Sequence, residues 1–298
     1  YCIMNKEQLL VSILIPAYNC DTFIAQAIDC ILNQTYANVE ILIADDASKD
    51  NTRKIIDTYS DPRIKRHHNP VNLGYLKTCN KLFSLATGDL VGFQDADDYS
   101  LPDRIEKQVS YLRNNPDTAV IGTCYSIVNE TGQALENQPK CLSGHEEIKA
   151  AFIKGERPLI PNSFLVKKEL LQAIGGYSEA FDRIGSEDYY WTWLLMEKGI
   201  IHSLPERLYV YRVNENSISG NLADNPKKLF SNILTQTLIE QRLETGTDWA
   251  AKGQTEKLNA WMQQKVDEFK AAPHLSYFVF ARKYFYEKRR KKAIEYQL

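Results

Sequence analysis

The sequence predicts an α/β protein: a three-layer, mostly parallel sheet with a helical appendage at its C-terminal end. Three observations predict it. Short continuous apolar runs alternate with segments of helical spacing through the first half. Polar, carboxylate-rich clusters follow three of those runs. Beyond residue 221 the composition shifts to helix formers. This divides the chain into a main domain over residues 1–220, with halves at 10–115 and 116–220, and a helical extension over 221–298.

Residues 10–15 are apolar except for Ser12 and end at Pro16, which reads as a strand buried on both faces. Asp21 and Thr22 offer N-cap chemistry, and Ile24, Ala27, Ile28, Ile31 and Leu32 follow at helical spacing. Residues 39–44 form the second buried run and lead straight into Asp45 and Asp46. A helix over 52–59, a short strand over 64–67 and a helix over 75–86 come next. Residues 89–93 form a further strand, which delivers Gln94, Asp95, Ala96, Asp97 and Asp98. Pro102 and Asp103 open the following helix. In the second half, 119–124, 164–166 and 208–212 read as strands, Gly175-Gly176-Tyr177 as a turn and 187–197 as a helix. Residues 227–243, 254–269 and 275–295 carry helical spacing, punctuated by Gly246 and Pro273.

In open parallel sheets, ligands bind beyond the carboxyl ends of the strands. Tyr18-Asn19, Asp45-Asp46 and Asp95 to Asp98 all fall there, so the three clusters converge on one rim. The formal net charge of −2 over 298 residues supplies no global field for nucleic acid or membrane. The six cysteines are scattered without a CxxC pair, which predicts buried thiols in a reducing compartment rather than a disulfide framework. No apolar run approaches the roughly 20 residues of a membrane span. No leader pattern is visible near Met4, and the reading places the chain in the cytoplasm.

Asp95, Asp97 and Asp98 repel one another unless a cation sits among them, and hard oxygen ligands suit Mg²⁺ or Mn²⁺ with phosphate oxygens completing the shell. The same residues also read as a solvated acidic turn before a helix. Asp45 and Asp46 can accept hydrogen bonds from a base or a ribose, or serve as an acidic helix start. Asp188, or its neighbour Glu187, can act as general base for an acceptor hydroxyl, or simply open its helix. Of Trp191 and Trp193, one is placed to stack on a sugar ring and the other in the core. No P-loop, GxGxxG, HExxH or GxSxG motif is present, and His67, His68, His145, His202 and His274 lack metal-ligand spacing.

Taken together, the motifs resemble the family-two glycosyltransferases of the nucleotide-sugar A-type (GT-A) fold. The resemblance runs through Val11 to Asn19, Ile31 to Thr35, Asp45 to Thr52, Asn72-Leu73-Gly74, Asn80, Asp95-Ala96-Asp97-Asp98, Pro102-Asp103-Arg104, Gly175-Gly176-Tyr177 and Glu187-Asp188. It covers residues 11–219 and leaves the tail uncovered. It implies an inverting transfer of a sugar from a nucleoside diphosphate to a hydroxyl of a glycan or lipid-linked acceptor, in cell-surface polysaccharide synthesis. Pro16, Ala17, Tyr18 and Asn19 would frame the nucleotide, and Asp46 would hold the base with Asp45 nearby. Uridine diphosphate is the preferred donor, because Asp46 can accept the uracil imide N–H. Asn72, Gly74, Asn80 and Ala96 belong to the same donor-binding set. Asp95 would face the ribose or the metal, and Asp97 would ligate the divalent metal. Asp188 would be the base, with Glu187 as neighbour or competitor. One departure stands out: Asn214 occupies a place where the family often has a metal-contacting His, so no third protein ligand is carried over.

Two other functional classes fit the sequence less well. A sugar-nucleotide pyrophosphorylase needs a Gly-rich basic loop after its first strand, where Pro16 to Asn19 stand instead. A non-catalytic, scaffolding relative predicts lost carboxylates, yet Asp46, Asp97 and Asp188 are present. Residues 275–292 mix aromatic with basic side chains, which suits either a packed helix or peripheral contact with the inner face of an anionic membrane.

Overall fold

Three apolar runs of the first half and one short, largely polar segment lie side by side as parallel strands. In the computed structural model, which describes residues 8–214 and 225–271, these are β1 (Val11–Ala17), β2 (Val39–Asp45), β3 (Ile64–His68) and β4 (Leu90–Phe93). Between them run α1 (Ile24–Leu32), α2 (Thr52–Thr58) and α3 (Tyr75–Leu85). Pro16 does not end β1; it stays in register opposite Ala44, and the strand continues to Ala17 opposite Asp45. Asp21 and Thr22 do not cap α1, whose N-cap is Phe23 without a side-chain cap. Instead the Asp21 backbone donates to Asp50 Oδ2 at 3.1 Å, which ties this loop to the next one.

The chain continues through β5 (Tyr99–Ser100), α4 (Arg104–Asn114), β6 (Thr118–Val128), α5 (His145–Ile153), a 3₁₀ turn at Pro161–Ser163, β7 (Leu165–Lys167), α6 (Lys168–Ile174), α7 (Glu187–Lys198) and β8 (Ile200–Arg212). The eight strands form one sheet in the order β3-β2-β1-β4-β7-β6-β8-β5. Its first four strands pair in parallel, as expected, but β7 is antiparallel to both β4 and β6, and β5 is antiparallel to β8. The sheet is therefore mixed but still mostly parallel: β7 and β5 run against the other six strands.

Alternation along the strands sorts the core into two faces. Val11, Ile13, Ile15, Ile41 and Ile43 pack with Ile24, Ile28 and Ile31 of α1 and with Ile105, Val109 and Leu112 of α4. Helix α3 packs on β1 and β2 through its buried Leu76, Cys79 and Leu82. At the amino ends of β1 and β2 a buried polar knot replaces apolar packing. Glu40 accepts from Ser12 Oγ, from the Thr87 backbone N–H at 2.7 Å and from Lys65 Nζ. Burial opposes its ionisation, but those hydrogen bonds prevail and bring its pKa down to about 2.

Cys124 and Cys141 are paired in a disulfide, against the expectation of six free thiols. Their 17-residue separation has no local signature; the chain simply returns along β6 after a loop. Cys20, Cys30 and Cys79 are free.

The chain divides into two compact units, Tyr1–Asn221 and Leu222–Leu298. In the second, a 3₁₀ turn at Pro226–Phe230 precedes α8 (Ser231–Thr245) and α9 (Thr255–Lys270). Gly246 ends α8 in the left-handed region at φ 75°. Leu234, Leu238, Leu258, Met262 and Val266 are buried there. Arg242 meets the buried Asp248 at 2.7 Å. The helix expected over 275–295, with its aromatic and basic side chains, lies outside the described residues. Among the described residues no helix is long and apolar enough to cross a membrane.

Candidate active site

Two loops at the carboxyl ends of β1 and β2 lock each other. The Asn19 backbone N–H donates to Ser48 Oγ at 3.0 Å, and the Lys49 N–H donates to Asn19 Oδ1 at 2.8 Å. Asn19 and Ala47 take left-handed backbone at φ 48° and 59° to do so. Tyr18 stays 41% exposed on this rim, while Pro16 and Ala17 lie within the strand. Asp45 and Asp46 are both buried. Asp46 accepts from Asn69 Nδ2 and the Leu73 N–H at 2.8 Å each, and from the Gly74 N–H at 2.9 Å. Asn72 donates from Nδ2 to the Asp46 carbonyl, so the whole 69–74 loop hangs on this one residue. Gly74 supplies the φ of 90° that the loop needs before α3.

The acidic loop after β4 gathers Asp95, Asp97 and Asp98, with one carboxylate oxygen from each within 4.8 Å of the others. Asp98 is spent internally. Its two oxygens accept from the Arg212 N–H at 2.7 Å and from the Tyr209 hydroxyl at 2.8 Å. Asp97 accepts from Asn214 Nδ2 at 2.6 Å, and Arg212 Nε binds its carbonyl at 2.9 Å. Asp95 is held by the Tyr75 hydroxyl at 3.1 Å on Oδ1 and by Asn162 Nδ2 on Oδ2. Ala96 is buried between these carboxylates. Burial, then the charges of Asp97 and Asp188, push Asp95 up to about 8, and burial also raises Asp97. Three crowded carboxyls held above their ordinary range are a donor set short of positive charge. Hard oxygens at this spacing fit a dication such as Mg²⁺ or Mn²⁺.

Helix α7 starts on the far side of this loop. Gly185 and Ser186 enter it at φ 90° and 70°, which places Glu187 and Asp188 in its first turn. Burial and the adjacent Asp188 push Glu187 up to about 8, with Asp95 adding to the effect. The acidic loop and the α7 start thus face one another, although 92 residues separate Asp95 from Glu187 in the chain.

Some expected residues play parts other than direct contact. Asn80 reaches across to the backbone of Tyr177. Trp191 and Trp193 are each 1% exposed, and their ring nitrogens bond Gly175 and Glu197, so neither offers a face to a sugar. Tyr75, Asn162, Arg212 and Tyr209 surround the acidic loop but carry no motif that singles them out. Asn214 touches Asp97, at the position where the resemblance raised a question about a metal contact.

Comparison with known proteins agrees with this geometry. The family model for "Glycosyl transferase family 2" matches residues 12–175. A putative glycosyltransferase, EpsE of Bacillus subtilis, is 39% identical over 41% of the chain, and the match spans 45% of EpsE. A second relative is WfgD of Escherichia coli, a UDP-Glc:alpha-D-GlcNAc-diphosphoundecaprenol beta-1,3-glucosyltransferase. It is 37% identical over 72% of the chain and 81% of its own length. Among solved structures, residues 1–349 of S. aureus TarS in complex with UDP-GlcNAc superpose with a TM-score of 0.62 at 19% identity. That match covers 77% of this chain and 67% of the other.

Proposed function

The chain belongs to glycosyl transferase family 2, and on that premise we propose that it moves a sugar, with inversion, from a nucleoside diphosphate donor to an acceptor hydroxyl. One observation carries the reading: the acidic loop after β4 and the carboxylates that open α7 lie near enough for their charges to act on one another. A donor diphosphate belongs at the first and an acceptor hydroxyl at the second.

Uridine diphosphate is the preferred nucleotide, and the UDP-glucose donor of WfgD supports it. The acceptor is a glycan or lipid-linked sugar of cell-surface polysaccharide synthesis in this reading, and the diphosphoundecaprenol-linked acceptor of the same relative supports its lipid-linked form. Tyr18, Asn19, Asp45, Asp46, Asn72 and Gly74 frame the nucleotide in this reading. Asp46 acts on it chiefly by fixing the 69–74 loop. Asp95 and Asp97 would hold a divalent cation, Mn²⁺ or Mg²⁺, which when bound offsets the charge growing on the departing diphosphate. Asp188 takes the proton of the acceptor hydroxyl as its oxygen attacks the sugar carbon from the face opposite the diphosphate. Glu187, pushed up to about 8 by burial and the adjacent Asp188, is the weaker proton acceptor of the two.

The test is donor binding and turnover across a panel of nucleotide sugars, with and without Mn²⁺, for wild type, Asp97→Ala and Asp188→Ala. The reading expects Mn²⁺-dependent binding of a donor that Asp97→Ala loses and Asp188→Ala keeps with little turnover. No Mn²⁺-dependent binding of any donor by the wild type would leave a non-catalytic, scaffolding role for the fold.

A further inference from the structure

Three side chains near the start of α7 form a stack that ends in a cation. Phe152 of α5 stacks on Tyr189 of α7 with ring centroids 4.2 Å apart. The Arg157 guanidinium lies over the same Tyr189 ring, 4.6 Å from its centroid. Phe152 and Tyr189 are buried, whereas Arg157 is exposed. The buried pair thus seats a charge on a residue that a ligand can reach.

Exposed arginines are usually mobile and lose rotamer freedom when they bind. This one is already ordered. Its Nη2 donates to Ser186 Oγ at 2.7 Å. The Tyr189 hydroxyl fixes the preceding residue by donating to the Glu156 carbonyl.

The place is informative as well. Ser186 stands two residues before Asp188. The Arg157 charge acts on Glu187, and also on the partly exposed Tyr125 of β6. The cation therefore lies on the acceptor side, close to the carboxyls that open α7. Those carboxyls repel an anionic acceptor unless a fixed positive charge receives it. A neutral glycan needs no such charge. The planar N–H fork of a guanidinium matches phosphate oxygens, which makes arginine the residue suited to a phosphate.

In a sugar carried on an anomeric phosphate, the attacking hydroxyl and the phosphate share one ring. The group that receives the phosphate must then stand near the base, and Arg157 does so through Ser186. We infer that Arg157 binds the anomeric phosphate of the acceptor, so that the acceptor is a sugar carried on a phosphate or diphosphate rather than a neutral glycan end. This rests on the glycosyltransferase reading given above and deepens it at the acceptor end.

The experiment compares acceptors in pairs. Glucose, galactose and N-acetylglucosamine are each attached to one alkyl chain, once through a diphosphate and once through a plain glycosidic oxygen. Acceptor KM and kcat are measured for wild type, Arg157→Ala and Arg157→Lys with the nucleotide sugar that wild type prefers, each variant being checked for a cooperative melt. In wild type the diphosphate member should have the lower KM by roughly ten- to hundredfold, the worth of hydrogen bonds to a charged group. Arg157→Ala should bring the ratio of the two KM values close to one, and Arg157→Lys should fall between. An Arg157 that merely supports the start of α7 would change both members alike and leave the ratio as in wild type, which would overturn the inference alone. Should the alanine variant fail to fold, wild type decides. A preference for the diphosphate member that shrinks as salt is raised supports the inference, and equal KM values overturn it. Donor binding without transfer to any of these acceptors overturns the phosphate assignment and leaves the donor side of the reading standing. No donor binding at all overturns both.

Discussion

Asn80 and Tyr177 hold one another through two reciprocal hydrogen bonds. Asn80 Nδ2 donates to the Tyr177 carbonyl at 2.8 Å, and the Tyr177 N–H donates back to Asn80 Oδ1 at 2.7 Å. The residues are 97 apart in sequence, so this pair fastens α3 to the turn that precedes α7. It also explains Gly176: a Cβ there would lie 2.3 Å from Asn80 Oδ1.

Asn80→Ala should therefore destabilise the protein by about 1–3 kcal/mol, by leaving two backbone groups unpaired. Gly176→Ala should cost a similar amount by pushing Asn80 aside. The double variant should lose less than the sum, since both changes break one clamp. Urea denaturation of the three variants checks this, and strict additivity would argue against a shared clamp.

The two carboxylates at the start of α7 should separate in kinetics. Asp188→Asn should lower kcat about 10²–10⁴-fold, the usual worth of a general base. Glu187→Gln should have a much smaller effect, because burial and the adjacent Asp188 make that carboxyl the weaker proton acceptor. Equal losses would mean that Glu187 shares the proton transfer.

Asp97 and Asp98 are adjacent but should fail differently. Asp97→Ala should lose the Mn²⁺-dependent part of donor binding and keep its fold. Asp98→Ala should lose about 1–3 kcal/mol of stability, because the Arg212 N–H and the Tyr209 hydroxyl are left without their acceptor. Mn²⁺ titration followed by electron paramagnetic resonance, alongside thermal melts, separates the two effects.

Glu40 sets an acid limit on the fold. Its pKa is depressed to about 2 in the native state, against an ordinary glutamate value of 4.5. Its stabilising contribution is therefore fully present above the unfolded value and fades as pH falls towards 2. Wild type should lose stability relative to Glu40→Gln across that interval, and the difference between them should be flat above pH ~5. Denaturant melts at pH 3, 5 and 7 test the sign.

Strands β1, β2 and β4 are readable to within two residues because a strand buried on both faces leaves a nearly unbroken apolar run, whereas β3, Ile-Lys-Arg-His-His at the edge of the sheet, is partly exposed and has no such run. Strands β6 and β8 are not readable whole. The second half of β6 passes through partly exposed Tyr125 and Ser126, and β8 contains Pro205-Glu206-Arg207, so only fragments carry a strand pattern. Helices α5 and α6 are short and were missed altogether. The motif carboxylates were readable because several stand together. Tyr75 and Asn162 carry no such cluster in their own segments, and Arg212 shares a segment with Asn214; all three acquire their roles only where the fold brings them to Asp95, Asp97 or Asp98.

The stitching of the acidic loop to β8 has a consequence for biosynthesis. Asp95 to Asp98 are made early, yet Tyr209, Arg212 and Asn214, which orient two of these carboxylates, leave the ribosome more than a hundred residues later. A nascent chain can complete its parallel strands long before its carboxylates are held in place. If these carboxylates hold the donor as proposed, donor capture would wait until the main domain has been almost entirely translated, and a truncated product would carry the motif without being able to use it.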